Sequence, residues 1–447
     1  MNNKVILMGK NVLLVSQNKG YKYSPMGTLF VADAMEKAGY NVTLLDSSVP
    51  IKTVMDTVSD IDPVFVGETV YTTPTIFQMI DIAKAIKSET NIPIVWGGVH
   101  PTLLASQCIK EEYVDYVVIG EGEKTIVDLA NSFSNGAPEK KIWASNEFIK
   151  DLDKYAPAWH LVDGNQYVYT EEHSVRGNLE KTRKRVFYYM ITSRGCPYRC
   201  AFCYVNAVHR STWRPQSVQW VKNQLDYIDK NYDIDGIGFW DDFFLIDVRR
   251  ALSIVEYMKS KEIGFMCETR ATLLTDSFMK KLKENGCMQL FIGGESGSPR
   301  VLKMIKKEIT PADLIKAAEL GYKHDIPVRI SFMFGIPGEK FEDMIQTKEL
   351  IIKLLEYPNV SISGPKLYTP YPGTELYDTA LKYGFTPPVS TLGWKDIHRQ
   401  TNLEYLPWFK KELEENGIGK DDIFLDIKDV QRKKHDTWSA DNLYNKK

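Results

Sequence analysis

The chain has 447 residues, six cysteines and a formal net charge of -2, enough length for roughly three domains of about 150 residues. Its 43% hydrophobic content and balanced charge exclude a disordered chain and a global nucleic-acid footprint. No apolar run reaches the ~18 residues of a membrane span, and the opening MNNKVILMGKNVLLVSQ, interrupted by Lys10 and Asn11, reads as a strand rather than a signal peptide; a cytoplasmic protein is expected, in which clustered cysteines are metal ligands or redox thiols.

From residue 11 to about 135, short apolar stretches alternate with amphipathic ones. NVLLVS, NVTLLD, PVFVGETV, IPIVWGG and YVVIGEGE read as strands. The segments that follow each in turn, from TLFVADAMEKAGY to KTIVDLANSFS, have helical spacing. Five such units make an α/β domain over residues 1–140: a doubly wound, Rossmann-like parallel sheet with its own core, whose ligands sit at the carboxyl ends of the strands. Residues 141–182 lose this rhythm, with the strongly charged EEHSVRGNLEKTRKR, and are expected to be a linker.

A second alternating series fills residues 183–385. VFYYMIT, GIGFW, IGFMCET, MQLFIGG, VRISFMFG and SISGPKLY are its strands, separated by helical segments such as VQWVKNQLDYIDKNY. Six βα units make a partial TIM-like barrel, again with its chemistry at the carboxyl ends of the strands. Residues 386–447 carry Trp394 and Trp408 among many charges and read as a small C-terminal cap, a candidate substrate-binding region.

Three of the six cysteines crowd into RGCPYRCAFCY, just after the first strand of the second series. Cys196, Cys200 and Cys203 make CxxxCxxC. Three thiolates suit soft metals, iron–sulfur clusters above all. A structural zinc site would want a fourth ligand, for which His209 is near enough in sequence to be considered. Three ligands on a four-iron cluster leave one iron open to a substrate or cofactor. Cys108, Cys267 and Cys287 read as small buried residues.

With this motif after its first strand, and Phe202 just before the last cysteine, the region from 186 to 380 resembles the radical S-adenosylmethionine (SAM) superfamily. The resemblance implies a 4Fe–4S cluster on Cys196, Cys200 and Cys203, with SAM bound to the open iron and cleaved reductively to methionine and a 5′-deoxyadenosyl radical. Successive strand ends match too: FWDDFF with Asp241 and Asp242, CETR with Glu268 and Arg270, GGESGS with Glu295 and Ser296, then FGIPGE and TPYPGT. These residues and Phe202 are the implied SAM site. Asp242 or Glu295 can receive the SAM ammonium or ribose diol, and Arg270 can pair with its carboxylate.

The first domain resembles the cobalamin-binding domain that precedes many radical SAM enzymes, on PMGTLFVADAMEKAGYNVTLLD, GETVYTTPT, WGGVHPT and DYVVIGEGE. The resemblance places Gly27, Thr69, Tyr71, Thr72, Thr73, Gly97, Gly98, His100, Gly120 and Gly122 at cobalamin. No GxGxxG follows the first strand, which disfavours a generic nucleotide-binding domain. The Asp-x-His-x-x-Gly signature of many cobalamin proteins is also missing: Asp396-x-His398 comes nearest, with Thr401 where Gly is needed. Cobalamin is therefore expected base-off, with no histidine on cobalt. The loop Thr69–Thr72 would face its lower side, Tyr71 would approach the cobalt, and His100 would bond the corrin periphery or the loop itself.

Together these resemblances imply a cobalamin-dependent radical SAM enzyme, a class B methyltransferase that methylates an unactivated carbon through the deoxyadenosyl radical and methylcobalamin. A low-potential donor such as flavodoxin or ferredoxin would supply electrons. The substrate would be a small molecule or peptide, with Tyr368, Tyr371 and Trp394, and beside them Trp408 and Phe409, as candidate contacts or as core. A cyclisation, ring contraction or oxidation without methyl transfer, and a cobalamin or SAM sensor, are the alternatives.

Overall fold

The computed structural model describes residues 10–17, 23–145, 147–173, 182–397, 403–419, 422 and 427. The chain divides into two units, Met1–Gly164 with Pro387–Arg399, and Asn165–Thr386 with Gln400–Lys447. No helix among the described residues is long and apolar enough to cross a membrane.

The first unit is built on the five expected strands: β1 (Asn11–Ser16), β2 (Asn41–Asp46), β3 (Val66–Thr69), β4 (Ile94–Gly97) and β5 (Tyr116–Ile119), all parallel in the order β2-β1-β3-β4-β5. Their apolar runs are nearly continuous because both faces are covered. Leu13, Val15, Val66, Ile94, Trp96 and Val117 enter one core with the helices Ile51–Ile61 and Ile76–Glu89. The alternate residues Val12, Leu14, Phe65, Val95, Tyr116 and Val118 enter a second with the helices Met26–Lys37 and Gly122–Ser132. The strand order reverses between β1 and β3, the switch point at which such sheets bind ligands.

Two segments depart from expectation here. β6 (Ile142–Ala144), inside the expected linker, pairs with β5 and adds a sixth parallel strand; three residues are too few to show alternation in sequence. Part of the expected cap also belongs to this unit. Thr391 N–H donates to Glu111 Oε1 at 2.9 Å, Gln107 Nε2 to Pro388 O at 2.9 Å, and Trp394 Nε1 to Gln107 Oε1 at 2.8 Å. The described residues 387–397 thus belong with the first unit and strap the end of the helix Val99–Cys108.

In the second unit β7 (Val168–His173), also inside the expected linker, runs antiparallel to β8 (Thr182–Met190) at one sheet edge. A two-strand ribbon follows, β9 (Ser193–Arg194) with β10 (Arg214–Pro215). Then come β11 (Gly236–Phe239), β12 (Gly264–Thr269), β13 (Cys287–Glu295), β14 (Val328–Phe334) and β15 (Val360–Leu367). The sheet order is β15-β14-β13-β12-β11-β8-β7, and β8 with β11 to β15 form the six parallel strands of a partial barrel. Ser217, Asp247, Thr275, Ser298, Thr310 and Thr374 each cap a helix through the side chain. At about 1 kcal/mol apiece, these caps help fix the helical ends of the loops that leave the strands.

Candidate active site

The cysteine loop follows the ribbon strand β9. Gly195 opens it at φ +82, and a Cβ there would overlap Thr212 O, so glycine lets the chain pass. The loop is then fastened. Gly195 N–H donates to Asp242 Oδ2 at 2.9 Å, Ala201 N–H donates to Ile305 O at 2.9 Å, and Ala201 O accepts from Leu376 N–H at 2.9 Å. Cys196, Cys200 and Cys203 are half-buried and in no disulfide, whereas Cys108, Cys267 and Cys287 are buried. Burial pushes the Cys196 thiol up and the Cys203 thiol up to about 12, with Asp242 and Cys200 adding to both. No three Cys, His, Asp or Glu side chains among the described residues converge as a single metal ion requires, and His209 Nδ1 lies 3.5 Å from Arg214 Nη2.

The expected SAM residues separate into two sets. Asp242, Glu268, Arg270, Glu295 and Phe202 surround the cysteine loop. Burial pushes the Asp242 carboxyl up to about 6 and that of Glu268 up to about 7, the latter helped by the Asp242 charge and opposed by Lys307. The Arg270 guanidinium lies 3.7 Å over the Tyr198 ring, a cation–π contact of about 0.5–2 kcal/mol. Its Nη1 is 3.8 Å from Cys200 Sγ and its Nη2 donates to Lys307 O. Glu295, at φ +64, accepts from Lys307 Nζ at 2.8 Å, and that ammonium stands 5.7 Å over the Phe202 ring. A Cβ at Gly293 would displace both members of this ion pair.

Asp241 and Ser296 form the other set, both buried and held by protein contacts. Asp241 is 1% exposed, and its Oδ1 accepts from Thr192 N–H at 3.1 Å, Thr192 Oγ1 at 2.9 Å and Ser193 Oγ at 2.5 Å. It braces the corner between β8 and β9. Ser296 is fully buried, with Oγ 3.0 Å from Thr347 Oγ1 and accepting from Ser298 N–H at 3.1 Å. Lys307, which joins Glu295, Arg270 and Phe202, has no mark in MIKKEIT that sets it apart from its neighbours.

Of the substrate candidates, Tyr371 alone borders the cysteine loop. Its ring is 5.5 Å from Tyr204, and burial, with Cys203 nearby, pushes its phenol up. Tyr368 and Trp394 are buried core residues, and Trp394 lies in the first unit. Phe409 is buried, and Trp408 Nε1 donates to Gly335 O at 2.9 Å, so these two cover the FGIPGE turn instead. Within that turn Glu339 Oε2 accepts from Gly335 N–H at 2.7 Å and Ile336 N–H at 3.2 Å, and burial pushes its carboxyl up to about 8.

In the first unit the expected cobalamin residues gather on the loops after β1, β3, β4 and β5. Gln17, just past β1, is the brace that the sequence did not reveal. Its Oε1 accepts from Tyr71 N–H at 2.6 Å, and its Nε2 donates to Thr73 Oγ1 at 2.7 Å and Thr75 Oγ1 at 3.1 Å. Thr28 Oγ1 donates to Thr69 Oγ1 at 2.9 Å. Tyr71 is half-buried with its phenol pushed up to about 12 by burial, and Gly27 leaves room beside its hydroxyl. Gly98, at φ +97, brings the turn after Gly97 so close to Val70 O that a Cβ would lie 2.9 Å away. Gly120, at φ +77, has only open space where a Cβ would stand, and its N–H donates to Thr102 Oγ1 at 3.0 Å. Gly122 lets the helix it starts approach Val31.

His100 is not at the ligand surface. It is fully buried, its Nδ1 lies 2.9 Å from Thr72 Oγ1, and its ring meets Trp394 edge-on at 6.1 Å. Desolvation lowers its pKa to about 3, so the ring is neutral. Its contact with Thr72 is to the loop itself. His398 of the Asp396-x-His398 pair lies outside the described residues.

The sequence matches the Radical SAM superfamily over residues 190–351 and the B12 binding domain over residues 13–130. It is 30% identical over 393 residues to an uncharacterized methyltransferase of Pyrococcus horikoshii, a match spanning 83% of this chain and 81% of that protein. The chain belongs to the cobalamin-dependent radical SAM methyltransferase family. A second relative, an anaerobic magnesium-protoporphyrin IX monomethyl ester cyclase of Rubrivivax gelatinosus, is 24% identical over 408 residues, 82% of this chain and 70% of that one. Among solved structures, the radical SAM methyltransferase TsrM from Kitasatospora setae, with cobalamin and a [4Fe-4S] cluster bound, has the same fold: TM-score 0.67 at 19% identity, over 85% of this chain and 76% of that one.

The cofactors of this family are a [4Fe-4S] cluster, SAM and cobalamin, and the residues present suit them. Three free thiols share a loop with a guanidinium at one sulfur and carboxyls beside it, a donor set for a cluster and a zwitterionic sulfonium. The open backbone at Gly120 and the braced loop Thr69–Thr73 stand at the strand ends of a doubly wound sheet, where a large planar ligand meets main chain rather than side chains.

Proposed function

We propose that the enzyme transfers a methyl group to an unactivated carbon of its substrate. The observation that carries this reading is the pairing, in one chain, of a three-thiol loop flanked by Asp242, Glu268, Arg270 and Glu295 with a switch-point loop whose neighbouring histidine, His100, is turned inward onto Thr72. When bound, the cluster and SAM supply radical initiation, and cobalamin supplies methyl carriage. Cys196, Cys200 and Cys203 hold the cluster. Asp242 and Glu268 would receive the ammonium and ribose hydroxyls of SAM, because two half-buried carboxyls raised by desolvation gain from a cationic ligand. Arg270, fixed on Tyr198, faces the SAM carboxylate. Lys307 neutralises Glu295 and so limits the negative charge around the thiolates.

In the first unit Tyr71 and the braced loop Thr69–Thr73 would hold cobalamin, and with His100 turned onto Thr72 the cofactor would be bound base-off, without a histidine ligand. A flavodoxin or ferredoxin of the cytoplasm delivers the electron. The relative named a cyclase supports a second reading, ring closure without methyl gain. SAM with a deuterated methyl separates the two. Methyl transfer predicts product carrying the whole labelled methyl, one SAM recovered as S-adenosylhomocysteine and another as 5′-deoxyadenosine. Deoxyadenosine without methyl gain assigns the enzyme to the cyclases, and methyl gain without deoxyadenosine shows a polar transfer.

A further inference from the structure

The central strands of the second sheet are in register, and the rows separate its two faces. Ile292, Ile330 and Ile362 form one row and are 2%, 0% and 8% exposed beneath the helices. The alternate rows face the concave side. One runs Glu268, Phe291, Arg329, Ser361, and the next toward the carboxyl ends runs Gly293, Ser331, Ser363. Every member of these two rows is only half-buried. A closed barrel fills such layers with bulky side chains. Here glycine and two serines put only small side chains in that layer. The Glu295–Lys307 pair occupies the space over Gly293, so the recess lies over Phe291, Arg329 and Ser361.

The chemistry of this recess is specific. The Phe291 ring is 5.5 Å from Trp240, which is 6.2 Å from Tyr188, giving an aromatic floor across three elements. The Arg329 guanidinium stands 5.9 Å from the Phe291 centroid. It has no ion-pair partner among the described residues, and its in-register neighbours are Phe291 and Ser361. Ser361 Oγ is buried without a hydrogen-bond partner. Lys366, exposed further along β15, adds a second cation near enough to act on Glu268. A half-buried guanidinium beside an aromatic face, with a hydroxyl next to it and no carboxylate paired to it among the described residues, is matched by an oxyanion.

We propose that this recess binds the substrate through an anionic group, a carboxylate or phosphate, taken by Arg329 with Ser361, while an apolar, flat part of the molecule lies on Phe291 and Trp240. The proposal rests on the enzymatic reading above for taking the strand-end side of this sheet as the place of reaction, and it narrows the substrate to an acid with an unsaturated or ring-bearing body.

The test uses three probes of one shape: 2-naphthoate, 2-naphthyl phosphate and the neutral 2-naphthamide. Each is titrated into the reconstituted full-length protein and its Arg329→Gln variant, with iron and cobalamin content measured in parallel. The two anions are expected to bind about tenfold or more tightly than the amide, the value of one charge-assisted pair. That preference should vanish in the variant while iron and cobalamin content stay unchanged. The order of the two anions tells carboxylate from phosphate. Should Arg329→Gln not fold, Ser363→Leu, which fills the recess, is expected to exclude all three probes. Equal binding of acid and amide, no binding of any probe, or an anion preference that survives both variants overturns the proposal. Anion preference in a protein that makes no methylated product would instead reject the methyltransferase reading and leave the recess standing.

Discussion

His100 and Thr72 are both buried, and Nδ1 of the one lies 2.9 Å from Oγ1 of the other. The loop Thr69–Thr73 is therefore anchored beneath by a residue whose other neighbour is Trp394, from the strap near the far end of the sequence.

Trp394→Ala removes a fully buried indole and its hydrogen bond to Gln107. The expected cost is about 3–5 kcal/mol, confined to the first unit. Calorimetry should show that unit melting earlier, and gel filtration should show faster loss of cobalamin, with iron content of the second unit unaltered.

His100 makes the first unit acid-sensitive. Its pKa is lowered from 6.5 to about 3 by desolvation. Between those values the unfolded chain binds a proton that the folded ring refuses, so stability present above pH 6.5 is lost as the pH falls toward 3. Urea midpoints of the first unit should drop across this window. In His100→Gln they should start lower at neutral pH and fall less steeply.

Glu339 acts with the opposite sign. Burial raises its pKa from 4.5 to about 8, so the folded state holds a proton that the unfolded state has released. Its contribution is fully present below pH 4.5 and lost as the pH rises through about 8. Glu339→Gln keeps an oxygen for Gly335 N–H and Ile336 N–H. The variant should match the parent near pH 5 and unfold at higher urea than the parent at pH 8.5, conditions chosen about that window.

Gly195→Ala forces a side chain into Thr212 O at a positive φ, with roughly 1–3 kcal/mol of backbone strain before any clash is counted. The cysteine loop must move, and iron and sulfide content should fall while cobalamin is retained. Changing Cys196, Cys200 or Cys203 to Ala should abolish deoxyadenosine formation. Cys108→Ala, Cys267→Ala and Cys287→Ala should retain iron, and loss of iron from those three alone would reverse the ligand assignment.

The strands and their order along the chain were legible because each buries one or two faces and so carries a run or alternation of apolar residues. The ring of strand-end motifs was legible for the same reason, since strand ends fix where a loop begins. Asp241 and Ser296 read as ligands because a polar residue beside a motif looks alike in sequence whether it faces ligand or braces the loop; the three donors on Asp241 Oδ1 and the Ser296–Thr347 contact are what the sequence did not show. Gln17, Lys307 and the strap act through contacts distant in sequence, which impose no period. β6 is too short to alternate, and β7 pairs at an edge through a charged stretch.

The strap has a consequence for how the protein is made. Residues 165–386 separate it from the rest of its unit, so during synthesis the sheet of the first unit emerges and collapses long before Trp394 leaves the ribosome. Until then the helix Val99–Cys108 lacks its cover and His100 lacks its neighbour. A chain truncated before the strap would keep the strands of this sheet but lack the Trp394 contact that backs His100 and, through it, the loop Thr69–Thr73.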